Sequence, residues 1–468
     1  MLFNSIDFLI FLPIVFVLYW IINHYSIRLR NLFLIVASYV FYGWWDWRFL
    51  SLIIFSSVVD YIVGLRLNSA TKTSHRKLLL IISLSINLGF LGFFKYYNFF
   101  VDSFITAFSF MGNEFSATPL NILLPVGISF YTFQTLSYSI DIYYQKIKPT
   151  KDLIAFFAFV SFFPQLVAGP IERASHLLPQ FHTKKILSYE NISTGVKLVI
   201  WGFFMKLVVA DRAAIYVNAV YNNVPNHDGL SFILATVLFA FQIYGDFAGY
   251  SLIAIGTARF FDFSLMTNFR RPYFAVSIGE FWKRWHISLS TWFRDYLYIP
   301  LGGNRVSTPK WLANLFITFV ISGLWHGANW TFIIWGALNG IYLIIEALLP
   351  VKDKHKPVRI LITFVLINFS WIFFRANSVS EAFYIVKDIF IEPGKLFLGD
   401  GDDITAPLYA ILAISILLFV EFSMEYFNSI SRFNKLKPSI KMMGFSFIIF
   451  LILYLGVFDS SQFIYFQF

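Results

Sequence analysis

His326 stands in SGLWHGANW and His286 in FWKRWHISLS, and these two imidazoles are the side chains best suited to moving a proton in this chain. His326 lies between the apolar runs Trp311 to Leu324 and Thr331 to Leu349. An ionisable group between such runs is costly, and so is a functional expectation by default. Burial keeps an imidazole neutral and able to accept a proton near neutral pH, which makes it a competent general base. Gly323 and Gly327 flank one histidine and Gly279 precedes the other, so backbone can approach both closely. A packed, hydrogen-bonded histidine is the plain alternative for each.

The other six of the eight histidines carry less. His24, His75, His227 and His355 have polar neighbours in loops, and the six-residue gap between His176 and His182 is not a helical metal pair. No metal site is expected. With no cysteine, thiolate ligands, disulfides and cysteine nucleophiles are excluded. No G-x-S-x-G elbow, P-loop or H-E-x-x-H occurs, which removes those hydrolases, nucleotidases and zinc enzymes. The H-x-x-x-x-D pattern of soluble and peripheral glycerolipid acyltransferases is missing too. Asp60, Asp141 and Asp246 are scattered rather than paired as a proton relay. Asp246, between Gly245 and Gly249, could shape a cavity or serve catalysis.

The elements that must position these groups are membrane helices. The 468 residues are 58% hydrophobic and only 13% charged, about half the charged share of a soluble domain. Apolar stretches near the ~20 residues that cross a bilayer recur along the chain. They predict twelve spans, at 7–22, 31–46, 49–65, 78–94, 120–142, 194–211, 230–256, 311–325, 331–349, 358–374, 406–424 and 442–459, in a single multispanning domain over 1–468. Phe8 to Ile22 reads as a retained first span, since neither a basic stretch before it nor a small-residue cleavage site after it suggests a signal peptide. Tyr42, Trp44, Trp45 and Trp47 form an interfacial aromatic cluster.

With the N-terminus outside, the inner loops hold 27 of the 36 Lys and Arg, so the net charge of +10 reports membrane orientation rather than nucleic-acid binding. That bias requires 152–171 to enter and leave on the inner side. Pro164, Gln165, Gly169 and Pro170 break its apolar run, and such backbone is tolerated at depth only inside protein or beside a water-filled cavity. A re-entrant segment is expected there, with an ordinary kinked span as the alternative. The basic stretch 257–310 interleaves Arg270, Arg271, Lys283, Arg284, Arg294 and Arg305 with Phe274, Phe281, Trp282, Trp285, Trp292 and Phe293. It predicts short interfacial helices ended by the turn Pro300 to Asn304. A solvated outer loop is expected around Asp400, Asp402 and Asp403.

Four blocks are recognisable: SFFPQLVAGPIERA at 161–174, FQIYGDFAGYSLIAIG at 241–256, FWKRWHISLSTWFRDYLYIPLGGNR at 281–305 and GLWHGANWTFIIWGALNG at 323–340. Together they resemble the membrane-bound O-acyltransferase (MBOAT) family. The likeness is greatest to its bacterial alginate O-acetylation branch, which includes peptidoglycan O-acetylation proteins and is related to the D-alanyl transfer proteins of teichoic acid modification. The resemblance implies an all-α integral membrane fold: a ring of about 11–12 tilted helices, with re-entrant and interfacial segments around a central funnel, and a family core of roughly 120–375. It matches His326 to the family's near-invariant histidine and His286 to a second, branch-typical one.

The resemblance further implies an O-acyltransferase of a bacterial cytoplasmic (inner) membrane that takes acetyl from acetyl-CoA, with no bound cofactor. His326 would deprotonate an acceptor hydroxyl, or take the acyl group itself, and His286 would orient, polarise or relay. Trp285, Trp325, Asp246, Gln165, Asn329 and Asp295 are expected to build or support the cavity. Arg270, Arg271, Lys283, Arg284 and Arg294 could neutralise the donor phosphates, although membrane orientation explains the same charges. The longest outer loops, 95–119 and 375–405, are too small to hold a sugar polymer. This fits the branch's use of an exported, SGNH/esterase-like transferase that passes acetyl to an extracellular polysaccharide such as an alginate-like polymer or peptidoglycan. D-alanyl, lipid or protein acyl transfer is the alternative within the fold. A secondary transporter is the alternative outside it, and would predict an internal repeat; the two halves share no motif order.

Overall fold

The structure is a computed structural model that describes residues 1–110, 118–167, 169–349, 355–399, 405–458 and 464. The acidic loop around Asp400, Asp402 and Asp403 lies outside the described residues. The described chain is helical, and nine of its helices are long and apolar enough to cross a membrane. This is a multi-pass membrane protein.

Nine differs from the twelve expected spans for three local reasons. The helices Ile27–Asp46 and Leu50–Ser69 are joined by the single turn Trp47–Phe49 and count as one 43-residue run. In place of a helix over 120–142, the chain stays irregular until Gly127, at φ 74°, starts the 16-residue helix Ile128–Tyr143. Glycine adopts that left-handed backbone without steric cost, and 16 residues rise only about 24 Å. The helix Thr308–His326 is long enough but is not among the nine. Its Lys310, Asn314, Thr318 and Ser322 dilute the apolar run.

The chain forms two compact units. The first comprises 1–192 and 258–266, and here charged residues inside apolar helices find partners. Asp60 accepts from Ser139 at 2.7 Å, from Asn87 at 2.8 Å and from Ser83. Arg30, fully buried, donates to the carbonyls of Phe181 at 2.9 Å and Thr183 at 2.8 Å. A buried polar group without such partners would cost about 2 kcal/mol or more. The segment 152–171 breaks into the helices Leu153–Ser161 and Phe163–Leu166. The first rises about 14 Å, half a hydrocarbon core.

The second unit, 193–257 with 267–468, contains both candidate histidines. Its core gathers Phe239, Ile243, Tyr244, Trp285, Trp335, Trp371 and Phe374. The expected interfacial stretch is here a chain of short helices, Ile278–Arg284 and Ile287–Phe293, followed by a π-helical turn Arg294–Tyr298. Gly302 and Gly303 close it at φ 110° and 56°.

Candidate active site

His326 is the last residue of the helix Thr308–His326, which packs against Trp330–Leu348 as an antiparallel hairpin. Small residues allow that approach, as they do between membrane helices generally. A Cβ on Gly323 would overlap the Phe332 carbonyl oxygen and sit 3.2 Å from the Gly336 Cα. One on Gly327 would collide with the Phe332 ring. The glycines around His326 therefore serve close packing, and the tight hairpin holds the imidazole against aromatic rings. Trp325 lies 5.0 Å away, Trp335 5.1 Å and Phe374 5.5 Å between centroids. His326 is 3% exposed.

His286 is 1% exposed and links the two short helices in a left-handed backbone, φ 42° and ψ 53°. That conformation costs a non-glycine residue about 1 kcal/mol or more and persists only where surroundings over-determine it. Asn268 supplies much of that constraint. Its carbonyl accepts from Ile287 N at 2.8 Å, and its Oδ1 lies 3.1 Å from His286 Nδ1 and 2.9 Å from Ser288 Oγ. Phe247 meets the His286 ring edge-on at 4.5 Å. Burial among these groups pushes the His286 imidazole down to about 3, so it is neutral at physiological pH.

The two imidazoles lie 6.4 Å apart between centroids, with Trp325 touching both. A cavity of about 440 Å³ approaches His286. It is lined by Trp282, Lys283, Arg294 and Tyr298, and by Thr318 and Ser322 of the His326 helix. A second cavity of about 450 Å³ lies beyond that helix's C-terminal end, lined by Asn218, Asn222, Asn329, Arg375 and Asn377. Phe332 and Phe374 also line it, and Phe374 is the ring against His326. From Thr318 and Ser322 through His326 to Asn329, the chain thus passes from one cavity to the other.

The other expected residues divide. Trp285, 1% exposed, stacks on Phe281 at 5.4 Å and contacts Trp371 at 5.3 Å, so it supports the site from within the core. Asn329 caps Trp330–Leu348 by accepting from Thr331 N, donates to the Asn377 carbonyl and lines the second cavity. Asp246 forms a buried ion triad with Lys206 and Asp211, each carboxylate 2.8 Å from Nζ, and accepts from Ile464 N at 2.7 Å. It anchors the helical turn whose next residue, Phe247, packs on His286. Asp295 pairs with Arg294 at 2.8 Å in the π turn. Gln165 belongs to the first unit, where its Nε2 donates to Gln134 Oε1 at 2.8 Å.

Of the five basic residues, only Lys283 and Arg294 line the first cavity. Arg271 pairs with Glu425 at 2.6 Å, Arg284 pairs with Glu280 and Glu425, and Arg270 is exposed. The sequence does not single out Asn268, Phe247, Trp335, Trp371 and Phe374, nor Asn218, Asn222, Arg375 and Asn377. Phe247 and Trp335 fall within the blocks at 241–256 and 323–340, which is the signal that could have found them. The rest lie in segments that carry no motif.

Comparison with known proteins gives the family. The model of the family described as MBOAT, membrane-bound O-acyltransferase, matches residues 144–374, a range that contains both histidines. A protein of Pseudomonas aeruginosa described as probable alginate O-acetylase AlgI is 42% identical over 398 residues, covering 83% of this chain and 75% of the relative. A peptidoglycan O-acetyltransferase of Helicobacter pylori is 37% identical over 422 residues, covering 83% and 79%. A teichoic acid D-alanyltransferase of Bacillus subtilis is 27% identical over 237 residues, covering 48% and 59%. With two buried histidines between two cavities in a multi-pass helical chain, and relatives of this identity along most of its length, the protein belongs to the membrane-bound O-acyltransferase family and is an O-acyltransferase.

Proposed function

We propose that this enzyme moves an acetyl group from cytoplasmic acetyl-CoA to an extracytoplasmic acceptor, for O-acetylation of a polysaccharide of the alginate or peptidoglycan kind. The observation that carries the proposal is the pair of buried imidazoles 6.4 Å apart, with a cavity at either end of the site. Lys283 and Arg294 give the first cavity the charge that a phosphorylated thioester donor needs. The amides and guanidinium of the second suit a hydroxyl-bearing acceptor.

In this reading His326 takes the proton of the acceptor hydroxyl as its oxygen attacks the thioester carbonyl carbon. The tetrahedral intermediate collapses with cleavage of the C–S bond. The CoA sulfur leaves, the proton returns to it from His326, and the products are an ester and free CoA thiol. His286, neutral and buried, orients or polarises rather than carrying the proton. The aromatic walls exclude water, which limits loss of the acetyl group to hydrolysis.

The charge distribution supports an N-terminus on the outside of a bacterial cytoplasmic membrane, and the short outer loops support an exported esterase-like transferase as the immediate acceptor. The test is purified protein with radiolabelled acetyl-CoA and the partner transferase, following CoA release and label transfer. Wild type is expected to transfer label, and folded His326→Ala to lose transfer by about 10²-fold or more. Full activity in His326→Ala would overturn the catalytic assignment; solute uptake without thioester turnover would overturn the proposed reaction.

A further inference from the structure

We infer that Asn268 is a positioning residue that holds His286 as its Nδ1–H tautomer, making Nε2 a standing hydrogen-bond acceptor in the site. The inference rests on the histidine pair being the reaction centre.

The orientation of the Asn268 amide decides the matter, and one contact decides the orientation. Ser288 N, a backbone donor that can never accept, lies 3.3 Å from Asn268 Oδ1. On the other side, Asn268 Nδ2 lies 3.1 Å from Ser251 Oγ, which as a hydroxyl suits either amide orientation. Turning the amide over would set its NH2 against the Ser288 N–H. Oδ1 therefore faces His286, and an amide oxygen only accepts. The 3.1 Å contact with His286 Nδ1 is a hydrogen bond only if Nδ1 carries the hydrogen. A neutral imidazole carries one such hydrogen, so Nε2 keeps its lone pair.

The setting keeps that assignment rigid. Asn268 is 1% exposed and its carbonyl is tied to Ile287 N at 2.8 Å. One asparagine thus holds the two adjoining peptide groups, those of Ile287 and Ser288, that start the helix Ile287–Phe293. The left-handed backbone of His286 brings its ring to this fixed acceptor. Neither an ion pair nor a metal is needed to set the tautomer. A neutral amide also leaves the imidazole uncharged, where an aspartate in its place would favour imidazolium.

The test uses full-length protein labelled with 15N-histidine in detergent, with His286→Ala to assign the ring signals. Wild type is expected to show His286 Nδ1 as the N–H nitrogen and Nε2 as the unprotonated one. Asn268→Leu removes the acceptor and should mix the two tautomers, lowering kcat about tenfold with the KM for acetyl-CoA unchanged. Asn268→Asp keeps an acceptor and should keep Nδ1 protonated. An unprotonated Nδ1 in wild type, or an unchanged Nδ1–H in folded Asn268→Leu, would overturn the inference. Equal loss of activity in both variants without any tautomer change would mark Asn268 as structural only. The spectra need no acyl donor, so failure of the transferase reading would leave the tautomer result standing, and the reverse.

Discussion

Gly323→Ala adds one methyl group where the hairpin that ends at His326 packs backbone against backbone. The new carbon would overlap the Phe332 carbonyl oxygen and lie 3.1 Å from the Phe332 carbonyl carbon and 3.2 Å from the Gly336 Cα. These are backbone atoms of the partner helix, so no rotamer change relieves the clash. Restoring ordinary van der Waals contact requires the hairpin to part by about 1 Å, an overpacking expected to cost about 1–3 kcal/mol. His326 sits three residues on, and about 1 Å of misplacement at a reacting group can cost on the order of 10²-fold in rate. The expected result is a lowered melting temperature in detergent together with a loss of acetyl transfer approaching that size. Gly89→Ala is the control, because a Cβ there meets nothing within 4 Å, and in a helix it should be neutral or mildly stabilising. If Gly323→Ala matched wild type in both melting and turnover, close packing of the hairpin would not be what positions His326.

Three further outcomes are expected. Because burial pushes His286 to about 3 while an unfolded histidine titrates near 6.5, its destabilising contribution is absent above pH 6.5. As pH falls below that value the unfolded state gains a proton the folded state refuses, so stability should drop by about 1.4 kcal/mol per pH unit, or about 2 kcal/mol at pH 5. Melting curves of wild type and His286→Gln between pH 5 and 7.5 check this, and parallel slopes would count against it. Lys206→Met should leave Asp211 and Asp246 facing each other in the core without their cation, at a cost of about 3–5 kcal/mol, seen as poor yield of monodisperse protein. Lys283→Ala should raise the KM for acetyl-CoA while leaving kcat within about twofold, as expected for uniform binding lost outside the reacting atoms; an unchanged KM would remove Lys283 from the donor path.

Much of the protein is legible without any tertiary contact. Apolar runs of span length and the weighting of Lys and Arg to alternate loops make the chain a multi-pass membrane protein, since a bilayer constrains backbone and charge so severely. His326 and His286 stand out because an imidazole among apolar residues, beside glycines, has few ordinary reasons to be there. The breaks at Pro164 and at Gly302 and Gly303 are readable because proline and glycine act locally. The late start of Ile128–Tyr143 follows the same rule, since Pro125 and Gly127 make the turn before it, with Ile128 N donating to the Pro125 carbonyl at 3.2 Å, although the apolar run over 120–142 reads as one span.

The tertiary structure alone decided the partners. Asn268 lies 18 residues before His286, outside the block that holds the histidine, and nothing in their spacing foretells a hydrogen bond. Membrane orientation asks the same positive charge of Arg270, Arg271, Lys283, Arg284 and Arg294, so the sequence could not sort them. Packing did: Glu425 and Glu280 engage Arg271 and Arg284, Asp295 engages Arg294, and of the five Lys283 and Arg294 reach the cavity at His286. Solvation and hydropathy are properties of a segment and are written along the chain. Which donor meets which acceptor depends on helices far apart in sequence, and is settled only when they pack.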